Sequence, residues 1–370
     1  MVSLPFPVIS VKGKPIECGR QYGSQAQKQI RHNIELYFGL LSDIWGASRP
    51  EVLKQCTQLT LAIGEYESDI LEELEGIARG AEVSLEEIVA LNARYELVFA
   101  LSTPPQRRSS GCTSMAALPQ VTRDDVTIIG QNWDWMPRFK GLNVILELDE
   151  VGKPTMVTHT EAGMLAHKGM NSAGVAVCLN ALASNKDSFG LTTPFLIVAR
   201  GILNADSFSE ALRAVFRARV TVSFNFLIAH RDGEAIDLEV TPKDTGFLYP
   251  EGGILTHSNN FLSFTNRGDL VDTFKTALPD TILRYHRAKE LLQLDEGHIG
   301  ISSFKRVFKD HFSYPNSICR HADARDKEPM QLATKCSAIM DLKERTFYLT
   351  DGPPCHNRYF KLTPKSLFKD

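Results

Sequence analysis

The hydrophobic positions change their period once along the chain. Up to about residue 100 they recur at helical spacing behind a short opening strand, with Ile30, Ile34, Tyr37, Phe38 and Leu41 marking a helix over 23–41 and a second helix predicted over 50–78. Ser84 and Glu87 form a capping box, each side chain satisfying an exposed N–H of the other's backbone, and the helix they start carries Ile88 and Leu91 on one face. After Cys112 the segments 126–133, 144–148, 155–160 and 174–179 are rich in β-branched residues and separated by Gly, Asn and Asp, which predicts strands. A second capping box, Ser207 with Glu210, opens a helix with Leu212, Val215 and Phe216 on its apolar side. Strands over 225–230 and 235–240 flank Asp232-Gly233, a hairpin signal. Helices over 279–293 and 302–311 precede a last hairpin around 342–345. Strand runs interrupted by helix pairs imply sheets covered by helices, an α+β fold.

Composition narrows the classes. Hydrophobic residues at 43% and charged residues at 23% suit a globular chain of 370 residues with a full core, and no apolar run reaches membrane-spanning length. A net charge of −3 argues against a nucleic-acid binder. The first residues show no basic leader followed by an apolar region, so no secretory signal is read and a cytoplasmic location is expected. The seven cysteines lack the short spacings of zinc hooks, so free thiols, a reducing compartment and no metal are expected.

The candidate chemistry begins at Gly111-Cys112, behind a Pro/Arg/Ser-rich stretch over 102–110. A cysteine preceded by the smallest residue can attack the carbonyl before it, and hydrolysis of the resulting ester leaves Cys112 as a new N-terminus. Thiol nucleophile and α-amine base then share one residue. The plainer alternative is a buried structural cysteine. Downstream, Asn132 and Asp134 alternate with Trp133 and Trp135, so a strand there points the polar pair one way and the tryptophans the other. That is either a half-buried strand or a site with Asp134 beside the Cys112 amine and an aromatic acyl pocket. Asn259, after a strand beginning near Ile254, offers an oxyanion donor, although Asn259-Asn260 is also turn chemistry. His257 invites a papain-type Cys/His reading, but papain-like enzymes carry their cysteine on a helix, whereas Cys112 opens a strand. Arg320 is either a carboxylate-binding group near a thiol or a surface ion-pair partner.

The order of these blocks is more specific than any of them. Gly111-Cys112, the 130–134 block ending in Asp134, Glu161, the 171–177 block, Asn180, His257 to Asn259 and the 317–320 block ending in Arg320 together resemble the acyl-coenzyme A:6-aminopenicillanic acid (isopenicillin N) acyltransferase family. These are self-cleaving N-terminal-nucleophile (Ntn) hydrolases, and the blocks around Gly76–Gly80 and 87–94 resemble the family's helical pro-segment. The resemblance implies a four-layer αββα sandwich of the Ntn hydrolase type. It also implies cleavage between Gly111 and Cys112 into a 1–111 pro-segment (α-subunit) and a 112–370 catalytic β-subunit, which stay associated as one αββα domain. Cys112 would be the nucleophile and its amine the base, Asp134 and Arg320 would flank it, and Asn259 would supply the oxyanion hole. Trp133, Trp135, Met136 and Phe139 would line the substrate pocket. Trp135 and Met136 depart from the penicillin enzyme's aromatic pair and Ser258 precedes Asn259, so the acyl pocket is expected to differ. The tail also lacks a peroxisomal ending. The implied reaction passes an acyl group from an amide or thioester through Cys112 to an amine or water. Its partners are a small acyl donor and an amine acceptor, without nucleic acid, membrane or permanently bound cofactor, and a coenzyme A thioester is a candidate donor. Two alternatives stand beside it: a hydrolase of β-alanyl amines of the N-β-alanyl-dopamine kind, and an uncleaved, non-catalytic binding protein.

Overall fold

The computed structural model describes residues 4–101, 111–188, 190, 192–264, 269–327 and 331–368. The stretch 102–110, read from sequence as a loop, lies outside the described residues. After β1 (Val8–Gly13) come six helices: α1 (Pro15–Gln25), α2 (Gln27–Trp45), α3 (Arg49–Tyr66), α4 (Ser68–Ala81), α5 (Leu85–Asn92) and α6 (Arg94–Leu101). The two long helices expected here are each a pair. The backbone leaves helical geometry at Ala26 (φ −109°, ψ 15°) and at Glu67 (φ −162°, ψ 111°), and Gly23 lies within α1 instead of starting a helix. The Ser84 capping box is present, with Ser84 N–H donating to Glu87 Oε2 at 2.8 Å and Glu87 N–H to Ser84 Oγ at 3.2 Å.

The remaining chain runs β2 (Gly111–Ala117), β3 (Ile128–Trp135), β4 (Asn143–Glu150), β5 (Met156–Glu161), β6 (Lys168–Asn171), β7 (Val175–Ala181), α7 (Phe195–Leu203), α8 (Phe208–Phe216), β8 (Phe224–His230), β9 (Glu234–Val240), β10 (Thr245–Leu248) and β11 (Ile254–His257). It ends with α9 (Thr273–Ala277), α10 (Asp280–Gln293), α11 (Ile301–Phe308), β12 (Ala333–Asp341), β13 (Thr346–Leu349) and β14 (Phe360–Leu362). Phe216, expected on the apolar side of α8, is 60% exposed; Ala211, Ala214 and Val215 form the buried side.

The strands make two sheets, β1-β4-β5-β6-β7-β8-β9-β10 and β11-β2-β3-β12-β13-β14. Their inner faces meet through Ile145, Val157, Ala176 and Leu227 of the first and Ala116, Ile129, Met340 and Phe347 of the second. Helices α1 to α8 bury the other face of the eight-stranded sheet, through Leu146, Val177 and Phe226. Helices α10 and α11 bury the outer face of the six-stranded one, where Met115, Ile128 and Ile339 meet Ala288, Phe304 and Val307. The layer order is therefore αββα. No helix among the described residues is long and apolar enough to cross a membrane.

The N-terminal helices are held by backbone approach as well as by apolar burial. A Cβ added at Gly19 would lie 2.0 Å from the Glu73 carbonyl oxygen, at Gly23 2.3 Å from that of Ile77, at Gly76 2.4 Å from that of Ile16 and at Gly80 2.2 Å from that of Arg20. Helices α1 and α4 thus cross with no room for a methyl group. Gly76→Ala is expected to cost about 1–3 kcal/mol through overpacking, read as a lowered urea midpoint. An unchanged midpoint would mean that the crossing separates freely.

Candidate active site

Strand β2 lies antiparallel between β3 and β11, and its register sets the site: Gly111 opposes Asp134, Cys112 opposes Trp133 and Ser114 opposes both Gln131 and His257. Side chains alternate across this pleat, so Cys112, Trp133 and Trp135 face the inter-sheet side while Asp134 faces the α10–α11 side. Two hydrogen bonds clamp the sheets beside the cysteine, from Gln131 Nε2 to the Leu179 carbonyl and from Ser114 Oγ to Asn180 Oδ1. A Cβ at Gly111 would sit 2.9 Å from Asp134 Oδ2 and 3.4 Å from Arg320 Nε. Glycine is therefore required before Cys112 for a local reason: any larger residue would displace the carboxylate.

On the Asp134 side a largely buried network grips the backbone around Cys112. Asp134 accepts from Thr334 Oγ1 at 2.8 Å and from Arg320 Nε at 3.2 Å. Arg320 continues to Asn316 and Asp280, and Asp280 in turn accepts from Arg284 Nε at 2.8 Å. Arg284 closes the circuit by donating to the Cys112 carbonyl, to Thr113 Oγ1 at 2.9 Å and to Asn259 Oδ1 at 3.0 Å. Asn259 Oδ1 also accepts from the Cys112 backbone N–H at 2.9 Å, and its Nδ2 donates to the Ala181 carbonyl at 2.9 Å. One hydrogen of that amide group remains for another acceptor. Burial pushes Asp134 above the usual carboxylate range despite Arg320 and Arg284. Burial acts the same way on Asp280, but there the two guanidiniums prevail and hold it below that range.

The thiol side is different. Cys112 is 2% exposed, and burial, aided by the Asp134 charge, pushes its thiol up to about 12 against the favourable charge of Lys168. Lys168 Nζ lies 4.4 Å from the centroid of Trp133 and Lys335 Nζ 4.7 Å from it, with the Arg94 guanidinium 5.5 Å away. A register shift between Thr334 and Cys336 in β12 lets Thr334 reach Asp134 while Lys335 and Cys336 both reach β5, at Glu161 and His159. Glu161 pairs with Lys335 and, at 3.0 Å, with Arg94, and accepts from Tyr37 Oη at 2.8 Å. Lys168 forms no ion pair with a carboxylate among the described residues; its Nζ lies 3.4 Å from His167 Nδ1. Burial and the charge of Lys168 hold His159 and His167 well below the usual histidine range, so both rings are neutral.

Of the residues singled out from sequence, Gly111, Cys112, Asp134, Asn259 and Arg320 converge within this one network. Trp133 and Trp135 stand together, their rings 6.5 Å apart, and Phe139 packs on Tyr37 of α2 at 4.4 Å; Met136 is buried in the same cluster. His257 does not join them. Its Nε2 meets Glu239 at 2.8 Å and its Nδ1 the Ser258 carbonyl at 2.9 Å, which occupies both ring nitrogens. Arg284, Asp280 and Lys168 went unread. The first two lie on a predicted helix, where charges ordinarily face solvent, and nothing local distinguishes Lys168 from a surface lysine.

Similarity to known proteins points to one family. Residues 121–354 match the family described as acyl-coenzyme A:6-aminopenicillanic acid acyl-transferase. The acyl-coenzyme A:6-aminopenicillanic-acid-acyltransferase 40 kDa form of Emericella nidulans is 30% identical over 314 residues, 84% of each chain. Among solved structures, a mutant of the conjugated bile acid hydrolase from Clostridium perfringens is 14% identical with a TM-score of 0.45, covering 69% of this chain and 97% of that one. Penicillin V acylase from Agrobacterium tumefaciens is 14% identical with a TM-score of 0.42, covering 68% and 86%. Matched over most of its length by both the family and the Emericella relative, the chain belongs to the acyl-coenzyme A:6-aminopenicillanic acid acyltransferase family.

Proposed function

We propose that this protein is a self-cleaving cysteine amidohydrolase and acyltransferase whose Cys112 carries the acyl group as a thioester. The observation that carries the reading is the grip on Cys112: its N–H is held by Asn259 and its carbonyl by Arg284, while its thiol faces the opposite, aromatic side. A structural cysteine has no need of a buried, charged network around its backbone. In maturation the thiol adds to the Gly111 carbonyl carbon, the Cys112 nitrogen leaves with a proton, and water hydrolyses the resulting thioester to a Gly111 carboxylate and the free Cys112 thiol. The freed amine keeps its acceptor in Asn259 and takes the thiol proton in each later turnover. The thiolate then attacks the acyl donor, its amine or thiol leaves protonated, and the acyl-Cys112 passes to the acceptor. Asn259, with one amide hydrogen uncommitted, is suited to stabilising the developing oxyanion, a contact whose loss typically lowers kcat by about 10²–10³.

Charge on the thiol side favours donors bearing a carboxylate. Three cations, Lys168, Lys335 and Arg94, surround Trp133, and only Glu161 pairs with any of them among the described residues. An N-acyl amino acid suits this imbalance, and the cationic amine of a β-alanyl donor does not. The Emericella relative's name points to a coenzyme A thioester donor and puts the carboxylate on the acceptor, so acceptors that carry one belong in the panel as well. The test supplies one donor with a panel of amines and amino acids. New amides should appear beside free acid, in a ratio that rises with acceptor concentration and saturates. Carboxylate donors should outperform their amide counterparts, and that preference should fall in Lys168→Met. Free acid alone across the panel would make the protein a hydrolase, and consumption of no donor by fully matured protein would sink the reading.

A further inference from the structure

The segment that carries Arg320 is flanked on both sides by metal-binding side chains. Cys319 and His321 are its direct neighbours, His311 follows α11, and Cys355 follows β13. One donor atom from each of His311, Cys319, His321 and Cys355 lies within 4.8 Å of all the others. His321 Nε2 is at their centre, 3.1 Å from His311 Nε2, 3.4 Å from Cys355 Sγ and 3.7 Å from Cys319 Sγ.

Hydrogen bonding does not account for this convergence. A ring nitrogen has one proton or one lone pair, so a single linear hydrogen bond is all that His321 Nε2 makes well, yet three donor atoms surround it. Tetrahedral zinc, with bonds of about 2.0–2.3 Å, places its ligands about 3.3–3.8 Å apart; the three separations from His321 Nε2 are 3.1, 3.4 and 3.7 Å, and no two of the four atoms are more than 4.8 Å apart. Both cysteines are free, and sulfur ligands suit a soft cation.

We propose that His311, Cys319, His321 and Cys355 form a structural site for one zinc ion. Four protein ligands leave no open position, so the ion is not a Lewis acid for substrate. Its effect is to tie together the segments that carry His311, Cys319 with His321, and Cys355. The backbone at Arg320 is then fixed from both sides, Cys319 N–H already donating to the Asp310 carbonyl and Arg320 N–H to Thr334 Oγ1. The expectation of no metal rested on cysteine spacing, which is blind to a site assembled from three distant segments with two histidines.

Full-length protein, purified without chelator and dialysed against metal-free buffer, should hold about one zinc per chain by elemental analysis. His311→Asn with Cys355→Ser, which leaves Arg320 and its contacts unaltered, should hold almost none. Zinc-free wild-type protein titrated with cobalt should develop the intense visible absorption of tetrahedral, thiolate-bound Co²⁺, a readout that stands even if the double variant fails to fold. Wild-type protein that retains no zinc and gives no such spectrum overturns the proposal. So does equal zinc in wild type and variant, or a mass deficit of two hydrogens that maps to a Cys319–Cys355 disulfide in unreduced protein.

Discussion

Cys112→Ala should remain a single uncleaved chain under conditions in which the wild type resolves into fragments 1–111 and 112–370, and should turn over no donor at all. The change removes only a sulfur from a buried position whose backbone contacts, to Asn259 and Arg284, involve no side-chain atom of residue 112. The fold should therefore survive, and intact mass together with far-UV circular dichroism separates lost chemistry from lost structure. The wild-type rate has its own signature. A thiol pushed up to about 12 is protonated throughout the physiological range, so the reactive thiolate, and with it the rate of self-cleavage, should rise about tenfold per pH unit between pH 6 and 9. A flat profile would mean that a neighbouring base removes the proton in the rate-limiting step. Cleavage persisting in Cys112→Ala would shift attention to an external protease acting at Arg107-Arg108, outside the described residues.

Asp280→Ala is the second change expected to have a large effect. It leaves Arg320 and Arg284 buried without the carboxylate that bridges them, and breaking a buried ion pair from one side typically costs about 3–5 kcal/mol. Urea unfolding should show the loss directly. Self-cleavage should slow by on the order of 10² or more, because Arg284 holds the Cys112 carbonyl and Asn259. Glu251→Ala is the control: it removes the partner of Lys289 on the same helix, at a carboxylate 79% exposed, and should cost under about 1 kcal/mol. Equal effects at the two positions would show that the buried circuit carries no special weight.

What could be read from sequence divides by whether the signal is local. The opposite faces of β3, the Ser84 capping box and the Asp232-Gly233 hairpin are set by neighbours within a few residues and appear as expected, whereas at Ser207 only half of the expected box forms: Ser207 Oγ accepts from the Glu210 N–H, but the Glu210 carboxylate turns to Arg213 instead of back to Ser207. The candidate site was legible through Gly111, Cys112, Asp134, Asn259 and Arg320, which the fold brings into one network, because each belongs to a recognisable block. Helix α7 was missed because every one of its residues is buried, which erases the polar stripe that betrays an amphipathic helix. Arg284 and Asp280 became legible only when α10 was laid on the outer face of the six-stranded sheet, since their partners are distant in sequence. The division of α2 from α1 and of α4 from α3 turns on two residues whose own identities carry no break signal.

Glu161 joins parts that the proposed cut would separate: Tyr37 and Arg94 reach it from helices before Cys112, and Lys335 from the opposite sheet. Pulling the N-terminal piece away would take Arg94 and Tyr37 from Glu161, leaving it Lys335 alone, and would take Glu161 from Arg94. A mature molecule should therefore behave as one kinetic object despite its broken backbone. An isotope-labelled 1–111 fragment added to unlabelled mature protein should not enter it over days, and mixing should begin only where the whole molecule melts. The proposed cut would then fix the order of events in one direction: the two pieces should find each other once, as a single chain, and no later encounter in solution should reproduce that assembly.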